Sequence, residues 1–247
     1  RQKRTFNALP GADDRKLVHG CPAWSPDTKT IVFARAKARD LKGDPQRGFL
    51  LVASEVAAEF LHGGQTFPFD LYTIPFNDGK GGKAKPLAGA SGNGMSNYFP
   101  KYSPDGKWIV FCRAKSFMLL QPDSELYIVP AEGGQARRMR CNTPRLNSWH
   151  SWSPNGRWLV FSSKVNGPYT QLFLTHVDEQ GRDTPAVLLE NFTFPEQKRA
   201  ANIPEFVNAK PDAIKTIREE FLDDYCYYRA GTIALGGGDP EGALRQY

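Results

Sequence analysis

Lys101-Tyr102-Ser103-Pro104-Asp105-Gly106-Lys107-Trp108-Ile109-Val110-Phe111 is the stretch that decides the fold. An aromatic residue ends one strand. Ser-Pro-Asp-Gly then makes a tight turn: Pro fixes φ, Asp bonds back to the backbone, and Gly takes φ > 0. In the second strand Trp108, Val110 and Cys112 face one way, while Ile109 and Phe111 face the other. A strand apolar on both sides must be covered on both sides.

The pattern occurs twice more. Ala23-Trp24-Ser25-Pro26-Asp27 precedes Thr30-Ile31-Val32-Phe33, and Ser151-Trp152-Ser153-Pro154-Asn155-Gly156-Arg157 precedes Trp158-Leu159-Val160-Phe161. Pro26, Pro104 and Pro154 lie 78 and 50 residues apart, so the first unit carries an insertion, over about residues 36–65. A third strand reads at Asp70–Ile74, Glu125–Val129 and Gln171–Leu174, each running into a polar turn. A fourth closes the unit, as in Ala136–Cys141 or Ala186–Leu189. Four antiparallel strands recurring about every 40–50 residues describe propeller blades.

At these residues the chain resembles the TolB-like β-propellers, whose repeats share the Ser-Pro-Asp-Gly-Lys-x-Ile-Val-Phe core. The resemblance covers residues 17 to 192 and implies a mainly β fold. Three blades of four antiparallel strands are visible where closed propellers have about four to eight; the favoured expectation is a propeller of six or more blades whose remainder lies outside this chain, and the alternative is an open half-propeller that pairs with another chain. It also implies a periplasmic or otherwise extracytoplasmic setting and a binding scaffold, although some such propellers form the lid domain of prolyl-oligopeptidase-like enzymes.

Past Phe192 the character changes, which divides the chain into blades (1–192), a proline-spaced linker (193–211) and a helical segment (212–247). Ile214, Ile217, Phe221 and Leu222 form an apolar stripe at helical spacing. Tyr227, Ala230, Gly231, Ala234, Gly238, Ala243 and Tyr247 resemble the aromatic, small and Gly positions of a tetratricopeptide repeat, with Gly238-Asp239-Pro240 ending one helix and starting the next. In the insertion, Ser54–His62 reads as a short capped helix. The opening Arg1-Gln2-Lys3-Arg4 and the stop at Tyr247 read as cut ends.

Composition narrows the class. The 247 residues are 40% hydrophobic and 23% charged, which excludes a disordered or collagen-like chain. No run of about 18 apolar residues exists, so no membrane span is expected. The four cysteines are far apart, without CxxC or CxxCH, which excludes zinc-knuckle and c-type haem readings and leaves one or two disulfides open. No Gly-x-Ser-x-Gly, HExxH or phosphate loop occurs. No metal or cofactor is expected, with a calcium ion in the channel left open.

First strands line a propeller's channel, and the polar-aromatic run around Trp149 is the most unusual here. Asn97 and Asn147 both lie seven residues before the proline, Phe99 aligns with Trp149, and His150 sits where the second unit has Pro100. Asn97, Tyr98, Asn147, Trp149 and His150, with His19 ahead of the first blade, are the candidate binding residues; the competing reading is a satisfied structural network. The net charge of +6 concentrates in Arg137, Arg138, Arg140 and Arg145. That patch reads as a solvated edge or a dock for an acidic protein, without nucleic acid. The expected function is a non-enzymatic scaffold that binds protein partners in a multi-subunit assembly. The alternatives are an accessory subunit or fragment of a periplasmic peptidase or haem-bearing redox complex, and small-ligand binding in the channel.

Overall fold

The computed structural model describes residues 7–39, 64–119, 121–193 and 203–206, together with 228, 231, 232, 235 and 238–244. The chain divides into two compact units, Arg1–Val207 and Asn208–Tyr247.

The first unit holds three four-stranded antiparallel sheets, each a simple meander. The first comprises β1 (Leu17–Trp24), β2 (Thr30–Lys37), β3 (Asp70–Pro75) and β4 (Lys85–Pro86). The second comprises β5 (Ser96–Tyr102), β6 (Trp108–Ala114), β7 (Glu125–Pro130) and β8 (Arg137–Arg138). The third comprises β9 (Asn147–Trp152), β10 (Trp158–Ser163), β11 (Gln171–His176) and β12 (Val187–Leu188). The outer strands are two residues long, shorter than the sequence suggested, and short edges limit edge-to-edge aggregation. Among the described residues no sheet closes on itself.

The Ser-Pro-Asp-Gly turn is built as its residues require. Ser103 Oγ donates to Asp105 Oδ1 at 2.6 Å and accepts from Trp108 N at 3.0 Å. Asp105 Oδ1 also accepts from Lys107 N at 3.1 Å. Ser25 with Asp27, and Ser153 with Asn155, repeat the geometry. Gly106 and Gly156 take φ of 73° and 69°, and Thr28 holds the matching place at φ 61°.

The core lies between blades. Ile109, Val110, Phe111 and Cys112 are all fully buried, because one face of β6 packs toward the first blade and the other toward the third. The Cys112 thiol, for example, sits 3.5 Å from Ser148 Oγ on β9. Apolar burial on this scale is the main stabilising term. The described thiols Cys21, Cys112 and Cys141 are free.

Blade junctions repeat in detail. After β4, Leu87–Ala90 seats against the second blade: Arg113 Nη2 donates to Gly89 O at 2.6 Å, and Ala90 N to Leu87 O at 3.0 Å. A Cβ on Gly89 would lie 2.1 Å from Gly134 O, so only glycine fits. Ahead of the first blade, Leu9–Ala12 makes the same contacts: Arg35 Nη2 donates to Gly11 O at 2.8 Å, and Ala12 N to Leu9 O at 2.9 Å.

In the second unit Tyr228, Gly231, Thr232 and Leu235 are helical, and α1 spans Pro240–Leu244. Gly238 takes φ 80°, and Asp239 Oδ1 accepts from Gly242 N at 2.8 Å, capping α1. The expected helix at Ser54–His62 and the stripe at residues 214–222 lie outside the described residues. Among the described residues no helix is long and apolar enough to cross a membrane.

Candidate functional site

The inner strands β1, β5 and β9 share an irregularity. Each breaks register with its neighbour, between Gly20 and Ala23, between Tyr98 and Lys101, and between Ser148 and Ser151. The residue five before the turn proline adopts a left-handed backbone: Cys21 at φ 52°, Phe99 at 50° and Trp149 at 55°. A bulky residue held there costs on the order of 1–3 kcal/mol and persists only where surrounding structure imposes it. Such bulges re-aim side chains. Here they bring together Cys21, Phe99 and Trp149, with Phe99 and Trp149 rings 4.7 Å apart, around a cavity of about 220 Å³.

Pro22, Pro100, Lys101, His150, Ile203 and Glu205 complete the wall. Glu205 accepts from Ser151 Oγ at 2.7 Å and pairs with Lys101 Nζ at 3.3 Å, and Phe206 N donates to Ser151 Oγ at 3.4 Å. The ion pair is about half exposed, so it contributes at most about 1 kcal/mol. Trp149 Nε1 is shielded from solvent and has no acceptor among the described residues.

Of the remaining candidates His150 also lines this cavity, and the others fall elsewhere. Asn97 and Asn147 are buried and tie each blade to the one before it. Asn97 donates through Nδ2 to Phe69 O at 3.3 Å and to Met95 O at 3.2 Å, and its Oδ1 accepts from Arg113 Nε at 2.9 Å. Asn147 donates to Ser124 O and Thr143 O and accepts from Thr143. His19 lies inside β1, a correction to its expected place ahead of the first blade. It is the counterpart of these asparagines, and its Nε2 accepts from Arg35 Nε at 3.2 Å. Burial first, and Arg35 second, hold its imidazole below the ordinary value. Counting seven back from Pro26 would have exposed the equivalence.

Tyr98 is buried, and burial pushes its hydroxyl well up. His150 is buried on β9, where its Nε2 lies 3.0 Å from Val110 O and its Nδ1 3.8 Å from Cys112 Sγ. Burial holds His150 down at about 4 and pushes the Cys112 thiol up to about 12. At neutral pH both are uncharged, so the pair is a packed network and not a thiolate–imidazolium dyad. Among the described residues no group of three or more His, Cys, Asp or Glu is arranged to hold a metal.

The basic patch disperses. The Arg137 guanidinium lies over Trp108 at 5.7 Å and donates to Gln180 O and Gly181 O. Arg138 pairs with Glu125 at 2.7 Å. Arg140 and Arg145 are exposed. Sequence reasoning passed over Cys21, Lys101 and Ser151, although each has a fixed offset from its proline. Nothing in the sequence marks Glu205.

No family model matches the chain, and no curated protein does either. Solved structures do. A protein designated TolB from Agrobacterium tumefaciens is similar at 21% identity and TM-score 0.43, over 71% of this chain and 50% of that one. An oligogalacturonate lyase in complex with manganese is similar at 16% identity and TM-score 0.47, over 70% and 43%. Prolyl oligopeptidase B from Galerina marginata is similar at 13% and 0.42, over 72% and 23%. The chain therefore spans half or less of these structures, and the likeness is one of fold. The expectation that the chain is not an enzyme is corrected by these comparisons, because structures of similar fold include a lyase and an oligopeptidase.

Proposed function

We propose that the blades form a binding surface for a partner protein, centred on the inner-strand cavity, within an extracytoplasmic multi-subunit assembly. The observation that carries the reading is the recurrence of a left-handed bulge in all three inner strands, which gathers Cys21, Phe99 and Trp149 at one cavity. Register against the adjacent strand imposes this backbone, and the bulge aims three different side chains at one place. A tilted aromatic pair beside a lysine, with an indole N–H that has no acceptor among the described residues, suits a ligand with an apolar group and an oxygen acceptor.

The three sheets are, in this reading, part of a propeller of six or more blades. The support is the way Leu9–Ala12 contacts the first blade as Leu87–Ala90 contacts the second, in the manner of the last turn of another blade. The proposed boundaries are blades over 1–192, a linker over 193–211 and a tetratricopeptide-like segment over 212–247. The capped start of α1 behind Gly238 supports the last of these.

The test is photo-crosslinking in native cells, with a photoreactive residue at position 99 and a control at exposed Lys37. A discrete protein adduct from position 99 that is lost on Lys101→Glu is the expected result. Equal adducts from both positions, or none from position 99, would overturn the reading.

A further inference from the structure

The segment Ile203–Phe206 is placed like a ligand. Pro204 is buried although its neighbours are exposed. The Glu205 carboxylate accepts a hydrogen bond from the Ser151 hydroxyl at 2.7 Å and pairs with the Lys101 ammonium at 3.3 Å, and Phe206 N donates to the same hydroxyl at 3.4 Å. His150, one residue from Ser151 and held neutral, adds no charge. The contacts therefore distinguish a carboxylate from a neutral amide mainly through one lysine. No regular strand pairing joins Ile203–Phe206 to the blades, so the segment is seated by the side chain of Glu205 and the backbone N–H of Phe206.

We propose that Ile203–Phe206 is a built-in copy of the ligand, and that the cavity takes an extended partner peptide bearing a carboxylate residue directly after a proline. The proposal rests on the binding reading above. A proline holds the neighbouring backbone extended before binding, which lowers the entropy lost on docking. The carboxylate supplies the acceptor that Ser151 and Lys101 donate to. Because the segment is part of the same chain, it competes at the high effective concentration of a tethered ligand, on the order of millimolar. A partner must displace it, and its half-exposed contacts allow that.

The experiment uses the full chain and a fluorescein-labelled peptide of residues 200–209, read by polarisation. Glu205→Gln weakens the internal copy without burying any new group, because its side chain is exposed. The Glu205→Gln chain is expected to bind the peptide about threefold to fivefold more tightly than the wild type, the change that an exposed ion pair allows. A peptide with Gln in place of its Glu should bind about threefold to fivefold more weakly. Lys101→Glu in the Glu205→Gln chain should abolish binding. Pro204→Ala serves as a second variant that frees the site.

Equal affinity of wild type and both freed variants, or equal binding of the Glu and Gln peptides, would overturn the inference. Persisting adducts from position 99 would then leave the binding reading standing. Loss of both peptide binding and adducts would remove both.

Discussion

Phe99 and Trp149, fifty residues apart, occupy the same place in successive repeats, share a left-handed backbone and pack with ring centroids 4.7 Å apart and planes tilted by 31°. Aromatic pairs at this distance are coupled by about 0.5–1.5 kcal/mol beyond area burial. In a double-mutant cycle of Phe99→Ala and Trp149→Ala, the summed single losses should exceed the double loss by about 1 kcal/mol. Urea unfolding of the four proteins measures this, and additivity within a few tenths would mean that the rings merely adjoin.

Asn97 and Asn147 join blades through buried amides, whereas their counterpart His19 is only half-buried. Asn97→Ala leaves the Arg113 guanidinium short of an acceptor, and Asn147→Ala strands Thr143 N and Thr143 O, while Ser124 O keeps its bond from the backbone N–H of residue 147. Each should cost about 2–3 kcal/mol, the penalty for leaving buried polar groups unmet. His19→Ala should cost about 1 kcal/mol or less. Chemical denaturation of the three variants gives the ranking, and a larger loss at His19 would contradict the assignment.

Thr28 carries a β-branched side chain at φ 61°, where the other two repeats have Gly106 and Gly156. Left-handed backbone costs a non-glycine residue about 1–2 kcal/mol, partly offset by the larger freedom of glycine in the unfolded chain. Thr28→Gly should therefore stabilise the protein by about 0.5–1 kcal/mol, and Gly106→Thr should destabilise it by more. Thermal melts of both variants test the sign, and a lower Tm for Thr28→Gly would refute the argument.

Burial holds His150 at about 4 in the folded protein, against an ordinary 6.5. Below pH 6.5 the unfolded chain gains a proton that the folded chain refuses until near pH 4. This contribution to stability is complete above pH 6.5 and is lost as pH falls through that window, by up to about 1.4 kcal/mol per pH unit and about 3 kcal/mol in all. His150→Gln retains a donor for Val110 O and should flatten the dependence between pH 7 and 5. Urea midpoints across that range, compared with wild type, would show it; parallel curves would assign the acid sensitivity to other groups.

The turns and the second and third strands of the repeat were legible in the sequence, while the outer strands are shorter than it suggested and the first strand starts ahead of His19. Turn chemistry is local, so Ser103, Asp105 and Gly106 announce the same hydrogen bonds that the structure contains. The two-sided apolar strand at Trp108–Cys112 likewise demanded neighbours on both faces. From these alone came the four-stranded meander, its three copies and their order. What each copy does with the position five before the proline was not legible. Cys21, Phe99 and Trp149 share no residue type, and a left-handed backbone is imposed by register against the adjacent strand. Nor could the sequence tell the buried Asn97 and Asn147 from channel-facing ligands, since an amide serves either role until its surroundings are known. Glu205 reaches Ser151 and Lys101 across more than fifty residues of chain. Local propensity determined the blades; only packing between them decided which side chains meet at the cavity.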